Sequence, residues 1–284
     1  MKKIAWIGTG VMGAPMASHL GNNGYEVKAY NRTYAKAQKL EPLITAVESV
    51  EAAVQDVDVI FTIVGYPKDV EDTFTEIFKH AKPGTIVVDM TTSSPTLAKK
   101  LYHLGQDKGF EVLDAPVTGG DLGAINATLS IMVGGNKEIF ETIKPLLEVM
   151  GKTINYMGDA GNGQHAKLAN QAAIAGALAG TAEALGYAKS KGIDLNTMLN
   201  VIVGGSANSW QAANNGPKMI NNDKSPGFFI KHFVKDLNLV LEEAGSLKLD
   251  VVQSVVKIYE ILNENDFDDY GTQAIFDYYL NQLK

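Results

Sequence analysis

The chain has 284 residues, 45% hydrophobic and 20% charged, with a formal net charge of −7 and no cysteine. That length favours two packed domains over a single core. The acidic balance excludes a sequence-wide attraction to nucleic acid or anionic membrane, and the lack of cysteine excludes disulfides, zinc–thiolate sites and a cysteine nucleophile.

Met1-Lys2-Lys3-Ile4-Ala5-Trp6-Ile7-Gly8 begins like a charged leader, but glycines interrupt the apolar run, and it reads as a first strand. Nowhere do about 18 apolar residues run together, so no transmembrane helix is expected and the default location is cytoplasmic. Strands are predicted at Lys3–Ile7, Glu26–Tyr30, Val57–Val64, Thr85–Met90 and Glu111–Leu113. They alternate with helices at Val11–Asn22, Asp69–Lys79 and Pro95–Lys108, the pattern of a parallel sheet covered by helices. Two more apolar runs, Leu129–Val133 and Thr153–Tyr156, flank a helix at Lys137–Val149 and extend this α/β domain to residue 160. From Gly163 the composition changes, and Gln164–Ser190, rich in Ala and Leu without proline, fits one long helix. Residues 161–284 are therefore predicted to be all-helical, punctuated by Pro217, Pro226, Gly227 and a loop at Gly204–Ser209. Ala172–Leu178 and Val251–Leu262 are apolar enough either to meet a second subunit or to fill that domain's core.

Gly8-Thr9-Gly10-Val11-Met12-Gly13 follows a strand and opens a helix, the setting a dinucleotide fingerprint requires. Gly8 would allow the tight turn, Gly10 the approach of a pyrophosphate, and Gly13 close helix packing, with helix N-terminal amides facing the phosphates. The alternative is a plain strand-to-helix turn. Where an acidic residue would receive the ribose of NAD, the chain has Asn31-Arg32-Thr33, then Lys36. These groups suit a ribose phosphate, which favours NADP over NAD, although a lone arginine is also at home as a solvated surface cation.

Four segments carry a family resemblance: Ile7 to Gly13, Asp114-Ala115-Pro116-Val117-Thr118-Gly119-Gly120, Gly163-Gln164-His165-Ala166-Lys167-Leu168-Ala169-Asn170-Gln171, and Lys235-Asp236-Leu237. In this order they resemble the β-hydroxyacid dehydrogenase family, which includes 3-hydroxyisobutyrate dehydrogenase, tartronate semialdehyde reductase and the glyoxylate and succinic semialdehyde reductases. The resemblance implies an N-terminal Rossmann-type dinucleotide domain joined by a long helix to an all-α domain, a homodimer or homotetramer, and Lys167 as the catalytic lysine. It further implies that Thr118, where the family usually has serine, binds substrate together with Gly119, Gly120, Asn170, Gln171 and Phe228. Gln171 stands where some members have asparagine. Val64, Pro67, Thr92 and Lys235 are implied to border the cofactor.

Asn170 and Gln171 lie three and four residues after Lys167, so a helix presents all three towards one side. With hydride coming from the nicotinamide, the Lys167 ammonium would stabilise developing oxyanion charge and supply a proton to a small carboxylated aldehyde; oxidation of the 3-hydroxy acid reverses the roles. His165, two residues before Lys167, points elsewhere and reads as structural. No His-x-x-x-His or clustered acidic motif appears, so no metal site is expected.

Three other readings compete. 6-Phosphogluconate dehydrogenase has a much larger helical domain and Lys-x-x-His-Asn where this chain reads Lys167-Leu168-Ala169-Asn170-Gln171. The related imine reductases replace the lysine with other proton donors. A noncatalytic NADP-binding redox sensor would account for the glycines, Arg32 and Thr33, but not for Lys167 or Thr118-Gly119-Gly120. Within the hydroxyacid group the motifs do not name the substrate.

Overall fold

A computed structural model describes residues 1–264 and 266–283. Contacts within the chain separate Met1–Lys167 from the remainder, which begins at Leu168. The first unit runs β1 (Lys3–Ile7), α1 (Gly13–Asn22), β2 (Glu26–Tyr30), α2 (Tyr34–Gln38), β3 (Thr45–Val47), α3 (Val50–Val54), β4 (Val59–Thr62) and α4 (Pro67–His80). It continues with β5 (Ile86–Asp89), α5 (Pro95–Asp107), β6 (Glu111–Asp114), β7 (Val117–Thr118), α6 (Gly120–Ile125), β8 (Leu129–Gly134), α7 (Lys137–Glu148) and β9 (Gly151–Gly158).

Six strands are parallel in the order β3-β2-β1-β4-β5-β6, the order of a dinucleotide-binding sheet. The expected parallel sheet is corrected beyond β6. There β8 runs antiparallel to β6 and β7, and β9 is parallel to β8, so the sheet is mixed. The reason is connection length: the short α6 segment returns the chain beside β7 without the long crossover that a parallel neighbour needs.

The central strands β1, β4, β5 and β6 are buried on both faces, which is why they read as nearly unbroken apolar runs. Ile4, Trp6, Phe61, Val88 and Leu113 belong to one core, and Ala5, Ile7, Ile60, Val87 and Val112 to the other, following the two-residue period of a strand. Register aligns the strand ends. Ile7 pairs with Tyr30 and Thr62, Thr62 with Asp89, and Asp89 with Asp114, so the loops after β1, β2, β4, β5 and β6 all leave from one edge.

In the second unit α8 (Asn162–Ser190), which starts in the first, is followed by α9 (Leu195–Gly204), α10 (Trp210–Ile220), α11 (Ile230–Glu243), α12 (Asp250–Asn263) and α13 (Phe276–Asn281). Leu178, Leu185, Phe233, Leu237, Val252, Val255 and Tyr259 are part of its core, so Ala172–Leu178 and Val251–Leu262 largely face inward, while Val251 and Ile261 remain exposed. Pro217 does not break the chain as expected but lies inside α10. Burial of Gln211, Ala212, Gly216 and Met219 offsets the lost backbone donor, and at Gly216 α9 comes so close that a Cβ would lie 2.5 Å from Leu199 Cδ1. Among the described residues no helix is long and apolar enough to cross a membrane.

Candidate active site

The turn after β1 is shaped by contact with the exit of β4. Gly8 has φ +104°, and a Cβ there would lie 2.1 Å from Ile63 O; one on Gly13 would lie 2.0 Å from Gly8 O. These two glycines are required by the protein's own packing. Gly10 differs: nothing lies within 4 Å of where its Cβ would be. Thr9 is buried, yet its hydroxyl has no partner among the described residues. An open approach over Gly10, an orphaned hydroxyl and the start of α1 at the carboxyl end of a parallel strand fit a dinucleotide pyrophosphate.

Asn31 holds the neighbouring loop: its Oδ1 accepts from Thr9 N at 3.0 Å and its Nδ2 donates to Thr33 O at 3.1 Å. Arg32 projects from this tie with 88% of its side chain exposed, and its guanidinium lies 3.5 Å from the Asp69 carboxylate. Thr33 precedes α2, and Lys36 lies exposed on that helix. Pro67 opens α4, and the Val64 amide donates to Thr91 Oγ1 at 2.9 Å. The structure thus gathers Gly8 to Gly13, Asn31, Arg32, Thr33, Val64, Pro67 and Thr92 at one edge of the sheet.

Beneath this edge lie two buried carboxyls. Asp89 Oδ1 accepts from Thr62 Oγ1 at 2.8 Å and from Thr91 N at 3.1 Å. Burial is the main cause that pushes its pKa up to about 6, against these bonds and with a smaller push from Asp114. Asp114 accepts from Gly161 N at 2.7 Å and Gln164 N at 2.8 Å, so a strand residue satisfies the opening amides of α8. Burial raises its proton affinity too, opposed by those amides. Gly163 has no room for a side chain, since a Cβ would lie 2.5 Å from Met132 O.

The Asp89 environment has a measurable consequence. A carboxyl that holds its proton more tightly folded than unfolded stabilises the fold fully below about pH 4, and that contribution is lost as pH rises through about 6. Asp89→Asn cannot ionise, so its stability relative to wild type should rise by about 2 kcal/mol between pH 4 and pH 7. Urea unfolding of both proteins across that range checks this; parallel pH profiles would exclude it.

Thr118 ends β7, Gly119 follows with φ +134°, and Gly120 opens α6 with open space beyond its Cα. On α8 Lys167 is buried, Asn170 half-buried and Gln171 buried, whereas His165 is exposed. Within the second unit Asn170 Nδ2 donates to Gln171 Oε1 at 3.3 Å, and Gln171 Nε2 donates to Asp236 Oδ2 at 2.7 Å. The other Asp236 oxygen lies 2.9 Å from the Lys235 ammonium, an ion pair without hydrogen-bond alignment. These four residues form one polar chain across α8 and α11. Phe228 stands apart from it, its ring edge-on to Phe233 at 5.9 Å and packed on the core.

Residues 3–158 match a family model described as the NAD binding domain of 6-phosphogluconate dehydrogenase. Residues 161–279 match one described as NAD-binding of NADP-dependent 3-hydroxyisobutyrate dehydrogenase. The chain belongs to the β-hydroxyacid dehydrogenase family. It is 43% identical over 281 residues to the uncharacterized oxidoreductase YkwC of Bacillus subtilis, covering 97% of this chain and 98% of that one. It is 41% identical over 280 residues to the probable 3-hydroxyisobutyrate dehydrogenase-like 1, mitochondrial, of Arabidopsis thaliana, covering 96% of this chain and 84% of that one. The structure of Mycobacterium tuberculosis 3-hydroxyisobutyrate dehydrogenase with L-serine superposes with a TM-score of 0.88 at 31% identity, covering 98% of each chain.

In this member of the family, sequence reasoning named no role for Asp89, Asp114, Gln164 or Asp236, which carry the hydrogen bonds just described. A signal was present at Asp236: it shares a helical face with Phe233, Leu237 and Val240, and a carboxylate on an apolar stripe needs a partner. Asp89 and Asp114 similarly end strands whose other buried residues are apolar.

Proposed function

We propose that the protein transfers hydride between NADP(H) and a small 3-hydroxy acid or its semialdehyde, with Lys167 as general acid and base. The observation that carries this reading is a buried lysine on α8, three residues past Gln164, whose side chain is bonded to the loop leaving β5. A lysine buried at this place on α8 fits general acid and base work on a substrate oxygen.

The nicotinamide, when bound, supplies or accepts the hydride. The residues do the rest. Lys167 stabilises charge developing on the carbonyl oxygen and delivers its proton there, or takes it back in oxidation. Thr118 and the amides at Gly119 and Gly120 are proposed to hold the substrate carboxylate, with Asn170, Gln171 and Phe228 bounding the substrate and Lys235 near the cofactor. Asp236, in turn, orients Gln171 and Lys235. Residues 1–160 are proposed as the NADP-binding domain and 161–284 as the domain for substrate selection and for homodimer or homotetramer contacts. The 3-hydroxyisobutyrate name of the similar proteins supports the substrate class.

Arg32 carries the cofactor preference. The end of β2 offers no carboxylate to the ribose, and this guanidinium is largely exposed at the same edge as Gly10. Purified protein should oxidise NADPH faster than NADH with at least one of glyoxylate, tartronate semialdehyde, succinate semialdehyde and the semialdehyde of 3-hydroxyisobutyrate. Arg32→Ala should raise KM for NADPH about 10- to 100-fold, in line with loss of a charge-assisted bond, and KM for NADH less than about threefold. Tight NADPH binding without turnover of any of these aldehydes would favour the redox-sensor reading.

A further inference from the structure

We propose that Gln164 is a positioning residue for the reaction proposed above: its side-chain amide locks the loop after β5 to the first turn of α8 and thereby sets the place of Lys167. The inference rests on the reading of Lys167 as the proton donor.

Gln164 has no solvent exposure, and each end of its amide is used. Its Oε1 accepts from Ser93 N at 2.9 Å, and its Nε2 donates to Thr91 O at 2.7 Å. One side chain thus pairs with a backbone segment as a neighbouring strand would, by giving and taking a hydrogen bond two residues apart. Its own backbone amide is held by Asp114 Oδ2 at 2.8 Å. Thr91 extends the link, because its hydroxyl accepts from Val64 N and its amide donates to Asp89. The exits of β4, β5 and β6 therefore meet at one glutamine in the opening turn of α8. The contact at Gly163 leaves that turn no slack against β8. Lys167 follows Gln164 by three residues and projects from the same helical side. A slip of the helix by about 1 Å would be enough to cost about 10²-fold in rate.

The chemistry of this pairing supplies its own test. A protonated glutamate has one donor and one acceptor, as glutamine does, whereas an ionised one has only acceptors and would face the Thr91 carbonyl. The titratable groups facing this position are Asp114 from β6, Asp89 from β5 and Lys167 on the same helix; wild type shares all three, so comparison with wild type isolates residue 164. Gln164→Glu and Gln164→Leu are made in the full chain. NADPH affinity is measured by fluorescence, kcat with the best aldehyde at pH 6 to 8, and exchange of the Ser93 amide by NMR.

We expect kcat of Gln164→Leu to fall by about 10- to 100-fold at every pH, with NADPH affinity within about threefold. The ratio of Gln164→Glu to wild-type kcat should rise at least about tenfold from pH 8 to pH 6 as the acceptor regains its proton. A Gln164→Leu kcat within twofold of wild type, or a Gln164→Glu ratio that is flat with pH, overturns the proposal. Should wild type turn over none of the aldehydes, the functional reading fails, and the clamp is judged by exchange alone. Ser93 exchange at least about tenfold faster in Gln164→Leu supports the clamp, and unchanged exchange refutes it.

Discussion

Replacing Lys167 with alanine should lower kcat by about 10²- to 10⁴-fold, the usual range for a general acid or base, while NADPH affinity stays within about threefold. Cofactor affinity is expected to come from the glycine turn after β1 and from Arg32, which the substitution leaves untouched. A loss confined to kcat would mean that the removed interaction exists in the transition state, whereas a change confined to KM would mean that it served only binding. Lys167→Arg separates charge from proton transfer. Arginine keeps the cation but gives up a proton far less readily, so its kcat should remain low. If Lys167→Ala retains more than a tenth of wild-type kcat, another group supplies the proton.

Gly8→Ala and Gly10→Ala, two residues apart, should behave as opposites. At Gly8 a methyl would meet Ile63 O at 2.1 Å from a backbone with φ +104°, so the variant should lose about 3 kcal/mol or more of stability, or fail to fold. At Gly10 the methyl meets no protein atom within 4 Å, so the unfolding midpoint should barely move. The same methyl would stand where the pyrophosphate is proposed to approach, and NADPH affinity should fall by at least about tenfold. Thermal melts with and without NADPH read both effects. Full affinity in a folded Gly10→Ala protein would place the cofactor away from this turn.

The α/β half was legible wherever a strand is buried on both faces. Ile4 to Ile7, Val59 to Phe61 and Val87 to Val88 are apolar without a break because helices cover both sides of the sheet. Thr45–Val47 escaped because it is three residues long at the sheet edge, and Val117–Thr118 because two residues show no period. The short helices α2, α3 and α6 have less than two turns and leave no helical signature. Pro217 was misleading because propensity acts locally, whereas the packing of α10 on α9 is tertiary. In the candidate site, the glycine turn and Lys167 could be read because their motifs are contiguous. The partners of Asp114 could not: the bonds to Gly161 and Gln164 span 47 and 50 residues, and no local pattern reports which amide a buried carboxylate will find.

The way Asp114 receives the start of α8 bears on how such genes can recombine. The composition changes near residue 160, which looks like a natural seam. Yet the first turn beyond that seam, with Gly161 and Gln164, is bonded into the preceding sheet. A chimera joined at residue 160 would therefore pair one parent's strand ends with another parent's helix start. A junction moved past Lys167 would inherit carboxylate, amides and lysine as one block, so the unit of exchange is longer than the unit that composition suggests.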